Sequence, residues 1–284
     1  MNTFEIIEKL KSLPLNESSI IAVKDLLRVL GKMGSILYTL NPGKVIMRAR
    51  ANDGNTPFYL RSDLTYLPTH LNSSYKRASG PNFSMFYGSI ISDYPDGEEI
   101  DMSRIIGIVE ADPWLRDPAT SGTKHITFGK WVVTSPIHLL AIIHEELFHS
   151  NSPHLFEIYQ YYKKFIESFP ELRDTSNNIN QYLAKEFSKD PITNEFDYLI
   201  SASMTELIIA NQFDGVFYPS VQAQGRGFNI AITPFAADSN LHLQTVGHCI
   251  VNKKFDKTNV DNYKYSILYP HQTSFIWQDF VKHI

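Results

Sequence analysis

The sequence offers almost nothing for covalent or thiolate cross-links: of its 284 residues only Cys249 is a cysteine. A disulfide within the chain is excluded, and so is a Cys-x-x-Cys metal site, which leads to the expectation of a reducing, cytoplasmic compartment. No run of about 18 apolar residues occurs, so no membrane span is expected. The opening residues, MNTFEIIEKLKSLPLNESS, mix acids and lysines in one amphipathic stretch and lack the apolar run of a signal peptide. Charge is close to balanced, with 26 Lys+Arg against 30 Asp+Glu and a net charge of -4. No whole-chain basic field points to nucleic acid. There is no internal repeat and no low-complexity segment. The Rossmann glycine set, the phosphate loop, Gly-x-Ser-x-Gly and an ordered Ser-His-Asp set are also missing.

What is present is a large apolar and aromatic content. Hydrophobic residues make up 43% of the chain, enough for a sizeable core, and 18 Phe, 15 Tyr and 3 Trp bring the aromatics to 13%. Such side chains suit a β-containing protein with a lined cleft, and their surplus is compatible with a homodimer surface. The length fits one large domain, or one domain plus an appendage.

Residues 1–40 read as a helical extension, either an appendage or an integral layer packed on the main domain. Phe4, Ile6, Ile7 and Leu10 form one stripe that Pro14 ends, and Ile20, Ile21, Val23, Leu26, Leu27 and Leu30 predict a second helix from Glu17 to about Met33. From residue 41 to 284 the pattern is mixed, with residues 135–212 mainly helical within it. In VIMRARAND, Arg48 and Arg50 stand two apart on a strand and so share a face. Two arginines on one face are costly to bury without anions, and a phosphate-bearing ligand would supply forked, charge-assisted bonds. Two solvent-facing arginines on an edge strand account for the same pattern. MFYGSI predicts a strand through Tyr87, Gly88 and Ser89, and Asp101–Val109 an apolar helix. Glu110 follows directly, either as a buried acid or as a surface carboxylate at a helix end. HITFGKWVV predicts a strand with Gly129 as its bulge. Four helices are expected between Pro136 and Gln212, beginning with IHLLAIIHEELFHSNSPH.

HEELFH invites a zinc reading and does not sustain it. Histidines sharing a metal from one helix stand four apart, whereas His144 and His149 are five apart, roughly 140° out of alignment on an ideal helix. A structural or surface role is expected for both and for His154, and no metal.

The stretch DGVFYPSVQAQGRGFNIAI, Asp214–Ile232, predicts two strands around a polar, glycine-rich loop, with Ser220 at its mouth and Asn229 in the second strand. Small hydroxyls and glycines there suit a ligand with phosphates or ribose hydroxyls. An ordinary hairpin would look the same.

The order of these pieces is more specific than any one of them. From about Val45 to Ala237 the chain resembles the RES-domain family: MRAR, then Arg77 with MFYGS, then RIIGIVE ending in Glu110, then Lys130-Trp131, then YPSVQ and GFNIAI. The resemblance implies an α+β fold like that of ADP-ribosyltransferase catalytic domains, a mixed sheet core with NAD as substrate. It implies breakage of the nicotinamide–ribose bond, with inorganic phosphate as acceptor and ADP-ribose-1″-phosphate as product. Alternatives within and beside the family are ADP-ribose transfer to a macromolecule and a non-catalytic NAD or nucleotide sensor. Members act as toxins neutralised by a separate helix-turn-helix antitoxin. By resemblance, Glu110 stabilises the charge developing on the ribose, Arg48 and Arg77 hold phosphates, Tyr87 stacks, and Ser220 is catalytic. Arg50, Gly88, Ser89 and Asn229 would line the dinucleotide. Glu98 competes with Glu110, and Arg50 with Arg48. The chain departs from the family in its N-terminal extension, its longer helical section and the Lys76-Arg77-Ala78-Ser79 sequence, where a glycine usually precedes the arginine.

Overall fold

The computed structural model describes residues 1–90, 107, 112–117, 119–144, 153–220, 227–255 and 257–280. Helices and strands are mixed along the chain, so the protein is α+β. In order they are α1 (Thr3–Ser12), α2 (Ile20–Arg28), β1 (Ile36–Leu40), β2 (Val45–Ala51), β3 (Phe86–Ile90), a single helical turn at Pro113–Arg116, β4 (Ser121–Val133), β5 (Ile137–Ala141), α3 (Pro153–Glu167), α4 (Pro170–Phe187), α5 (Leu199–Ala210), β6 (Gly215–Pro219), β7 (Phe228–Ile232), α6 (Pro234–Asn240), β8 (Leu241–Lys254), β9 (Lys257–Ile267) and β10 (Gln278–Asp279). They form two compact units. The first is Met1–Thr39, Leu67–Phe86 and His138–Ala236; the second is Leu40–Tyr66, Tyr87–Ile137 and Ala237–Ile284. None of the helices among the described residues is long and apolar enough to cross a membrane.

In the first unit the N-terminal helices pack with the mid-chain ones, α1 on α4 and α2 on α5. Asn2 starts α1 with a capping box closed by Glu5, and the helix buries Ile6, Ile7 and Leu10. Phe4, expected in that stripe, is exposed, and so is Ile21 on α2. The second helix also ends sooner than predicted, at Arg28. Gly31 lies just beyond it at φ +104°, a conformation that halts the helix and favours glycine. Gly34 then joins α4 through its N–H to Ser176 Oγ at 2.8 Å and its carbonyl to Asn180 Nδ2 at 3.1 Å.

The strands of this unit run β1-β5-β6-β7. Here one expectation fails: the start of IHLLAIIHEELF is the strand β5, not a helix. It lies parallel to β6, Leu139 opposite Gly215 and Ala141 opposite Phe217. Asp214 fixes the register, its N–H donating to His138 O at 2.8 Å and its carboxylate accepting from His138 N at 2.7 Å. A strand buried on both faces reads as a continuous apolar run, and Leu139, Leu140 and Ala141 are all buried. The predicted hairpin is present: β6 and β7 are antiparallel, with Tyr218 opposite Asn229.

In the second unit the strands run β3-β2-β4-β8-β9-β10, each neighbouring pair antiparallel. One face carries a core of Met47, Leu115, Ile126, Phe128, Cys249 and Val251, with Val45, Ala49 and Trp114 against it. The irregularity in β4 falls between Lys130 and Trp131, one residue beyond the expected Gly129. Gly129 is needed for closeness instead: a Cβ there would lie 2.9 Å from Trp131 Nε1 and 3.1 Å from Leu243 Cδ1.

Candidate functional site

Alternation along β2 sorts its side chains. Val45, Met47 and Ala49 pack into the core of the second unit, so Arg48 and Arg50 share the opposite face. Across that face Arg48 is opposite Gly129 and Arg50 opposite Thr127; Thr127 is opposite His248 on β8, and His248 opposite Lys264 on β9. A row of polar and basic groups therefore crosses four strands.

The two arginines differ in environment. Arg48 is part-buried, and its Nη1 donates to the carbonyl of Tyr87 at 2.6 Å. Burial first, then the charge of Arg50, lower its pKa to about 10, with Tyr87 opposing. Arg48 remains a cation at neutral pH, but one whose charge the fold disfavours and an anion would favour. Arg50 is exposed. Its Nη1 donates to the carbonyl of Asp63 at 2.7 Å, and its guanidinium lies 4.7 Å from the centre of the Phe58 ring. The Asp63 carboxylate is turned to the main chain, accepting from Leu60 N at 2.9 Å and Tyr59 N at 3.2 Å. Among the described residues no carboxylate forms an ion pair with Arg50. Tyr87 thus meets Arg48 through its carbonyl, with Gly88 following on β3. Ser89 is buried opposite Met47, on the core side of the sheet and not on the arginine face.

Sequence reasoning missed a histidine pair on this same face. His125 Nδ1 lies 3.0 Å from His248 Nε2, and His248 Nδ1 lies 3.4 Å from Thr127 Oγ1. His248 is fully buried, its ring 6.0 Å from those of Tyr263 and Trp277. Burial, then His125 and Lys264, lower its pKa to about 4. The one local sign was His125 and Thr127 standing two apart on a predicted strand; nothing in the sequence announced His248, 123 residues further on.

The first unit holds the other candidates. On the β6–β7 hairpin, one face stacks Phe217 against Tyr38 at 4.2 Å and against Phe228 at 4.8 Å. The other face carries Tyr218, Ser220 and Asn229, all buried. Ser220 N donates to Gly227 O at 2.8 Å, closing the loop mouth. The Phe187 ring, at the end of α4, packs 5.4 Å from that of Tyr218. Arg77 reaches the same helix end: Nη1 donates to Phe187 O at 2.5 Å and Nη2 to Lys189 O at 3.3 Å, with the guanidinium 5.2 Å from the Tyr198 ring centre. It thereby satisfies carbonyls that the helix leaves open and places a cation where the helix dipole favours one. Arg77 and the Ser220–Asn229 hairpin are therefore joined through Phe187 and Tyr218.

Glu110 and its competitor Glu98 lie outside the described residues, as do residues 221–226 of the hairpin loop and 145–149 of the HEELFH segment. His144 and His154 are described, and both pack on aromatic rings: His144 on Tyr159 at 6.2 Å, His154 on Phe228 at 5.4 Å. No protein-family model matches the chain, and no curated protein matches it at a significant level. The resemblance to the RES family stands on its ordered residues alone.

Proposed function

We propose that the protein breaks the nicotinamide–ribose bond of NAD, with inorganic phosphate as acceptor. The observation that carries this reading is Arg48: a part-buried cation beside Tyr87, its charge disfavoured by burial and by Arg50, on a face where no described carboxylate pairs with Arg50. Two arginines on one face of a strand favour a doubly anionic guest such as a pyrophosphate or a phosphate. The order of MRAR, Arg77 with MFYGS, Glu110 and the serine–asparagine hairpin supports NAD as that guest.

Bond cleavage builds oxocarbenium character on the ribose and releases nicotinamide with the bonding electron pair. Glu110 stabilises that charge and holds a ribose hydroxyl, while Arg48 and Arg50 fix the phosphates so that ribose and acceptor are in line. Ser220 and Asn229 take the hydrogen-bonding roles that the resemblance implies. Incubating the purified protein with NAD carrying label in its adenosine half tests the reading. Label in a small phosphorylated product supports it. Label retained on protein or nucleic acid indicates the transferase, and unchanged NAD overturns cleavage altogether.

A further inference from the structure

The hydrogen-bond chain on the arginine face has a direction that its atoms dictate. Asn52 Nδ2 donates to the carbonyl of Thr56 at 3.1 Å, which sets its amide so that Oδ1 is the acceptor for Thr127 Oγ1 at 2.9 Å. Thr127 has only one hydroxyl proton and gives it to Asn52, so it can only accept from His248 Nδ1. Neutral His248 then keeps its lone pair on Nε2 and accepts from His125 Nδ1. The remaining lone pair belongs to His125 Nε2, the last atom of this hydrogen-bond chain, on a half-buried residue. Each imidazole is held in one tautomer, as a base oriented by a partner must be.

The chain lies beside Arg50. Thr127 is opposite Arg50 across the strand pair, and His125 shares the face of Thr127 two residues away. The Phe58 ring beneath Arg50 belongs to the residue whose carbonyl accepts from Trp277 Nε1 at 2.9 Å, and the Trp277 ring packs on His248. Among the described residues, the charged or titratable groups on the face of the pair are Arg50 from β2, Tyr263, Lys264 and Asp261 from β9, and Asp63, whose carboxylate is occupied by main-chain amides; Asp261 is opposite Ile250, itself opposite His125, and accepts from Asn252 and Asn259. Lys264 is tied to Asp279 at 3.7 Å. His248 is buried beside His125 and Lys264, which keeps its ring neutral near neutral pH.

We propose that His125 is a catalytic base of the cleavage reaction, binding the acceptor through Nε2 and taking its proton, with Asn52, Thr127 and His248 as positioning residues. The inference rests on the proposed NAD cleavage and adds the acceptor side to it. In the step, an oxygen of dihydrogen phosphate or water forms a bond to the ribose carbon as the carbon–nitrogen bond to nicotinamide breaks. Nicotinamide leaves neutral with the electron pair, and the acceptor proton passes to His125 Nε2. Arg50 beside it offers charge to the remaining phosphate oxygens.

The test compares nicotinamide release by wild type and H125Q across pH 5 to 9 with fixed phosphate. Expected are a wild-type rate that rises with pH along one limb, and a variant at least ~100-fold slower in which that limb is missing. T127V, which breaks the chain behind His248, should slow turnover less and keep the limb. An H125Q enzyme with the wild-type rate and limb overturns the role of His125 while leaving NAD cleavage standing; a wild type that releases no nicotinamide overturns both. Should H125Q fail to fold, histidine nitrogen NMR of the wild type decides: His125 protonated on Nδ1 is expected, and protonation on Nε2 alone at neutral pH overturns the proposal.

Discussion

The guanidinium of Arg48 donates to the carbonyl of Tyr87 at 2.6 Å, joining β2 to β3 at a point where the sequence had suggested a cation and an aromatic ring for one ligand. The bond uses main chain, so it fixes the direction of Arg48 whatever the Tyr87 ring does. Arg48→Lys keeps the charge and loses the planar fork. Nicotinamide release should fall about 100-fold, the equivalent of losing about 3 kcal/mol of charge-assisted bonding, with the thermal midpoint nearly unchanged. Equal activity in the lysine variant would remove Arg48 from the anion site.

His248 makes stability depend on pH with a definite sign. Its folded pKa is lowered to about 4, while an unfolded histidine titrates near 6.5. Above about pH 6.5 neither state binds the proton; below it the unfolded chain does and the folded protein does not, until about pH 4. Stability attributable to His248 is therefore complete above that window and declines as pH falls through it, by up to ~3 kcal/mol. Urea unfolding of wild type and His248→Gln should show a smaller loss between pH 7 and pH 4 in the variant. Parallel pH dependences would contradict the assignment.

Arg77 closes the end of α4 as well as standing in the family-like order. Arg77→Ala leaves the carbonyls of Phe187 and Lys189 without this donor, and should cost ~1–3 kcal/mol. Amide exchange in the last turn of α4 should quicken in step. A variant with unchanged stability and unchanged exchange would show that the cap contributes nothing and that any effect on turnover comes from ligand contact.

Gly215 begins β6 where the hairpin leaves no room for a side chain. A Cβ would lie 2.0 Å from the carbonyl oxygen of Ala231, a backbone atom that cannot yield without parting β6 from β7. Gly215→Ala should destabilise the protein by ~3 kcal/mol or more and shift the Ser220 loop mouth. Wild-type stability in this variant would mean that the strands pair differently from the Gly215–Ile232 register.

Much of this fold was legible because the telling patterns were local. The two-residue spacing of Arg48 and Arg50 placed both on one face, and the turn-rich stretch between Tyr218 and Phe228 marked a hairpin. IHLLA was misread because a strand buried on both sides presents the same unbroken apolar run as a buried helix, and its parallel partner β6 begins 74 residues after β5 ends. Phe4 and Ile21 satisfied a helical stripe and still face outward, since the stripe is wider than the face that α1 and α2 bury. The His125–His248 pair was invisible for a different reason: it depends on the register of β4 against β8, which no local spacing encodes. The expected roles of Glu110 and Glu98 concern residues outside those described.

Cleavage of NAD is read out by incubating the protein with NAD, with and without inorganic phosphate, and measuring nicotinamide release beside a Glu110→Gln control. Release should increase with phosphate, with ADP-ribose-1″-phosphate as the co-product, and be almost lost in the control. No release from a folded protein, or release that the Glu110→Gln control retains in full, would contradict this expectation.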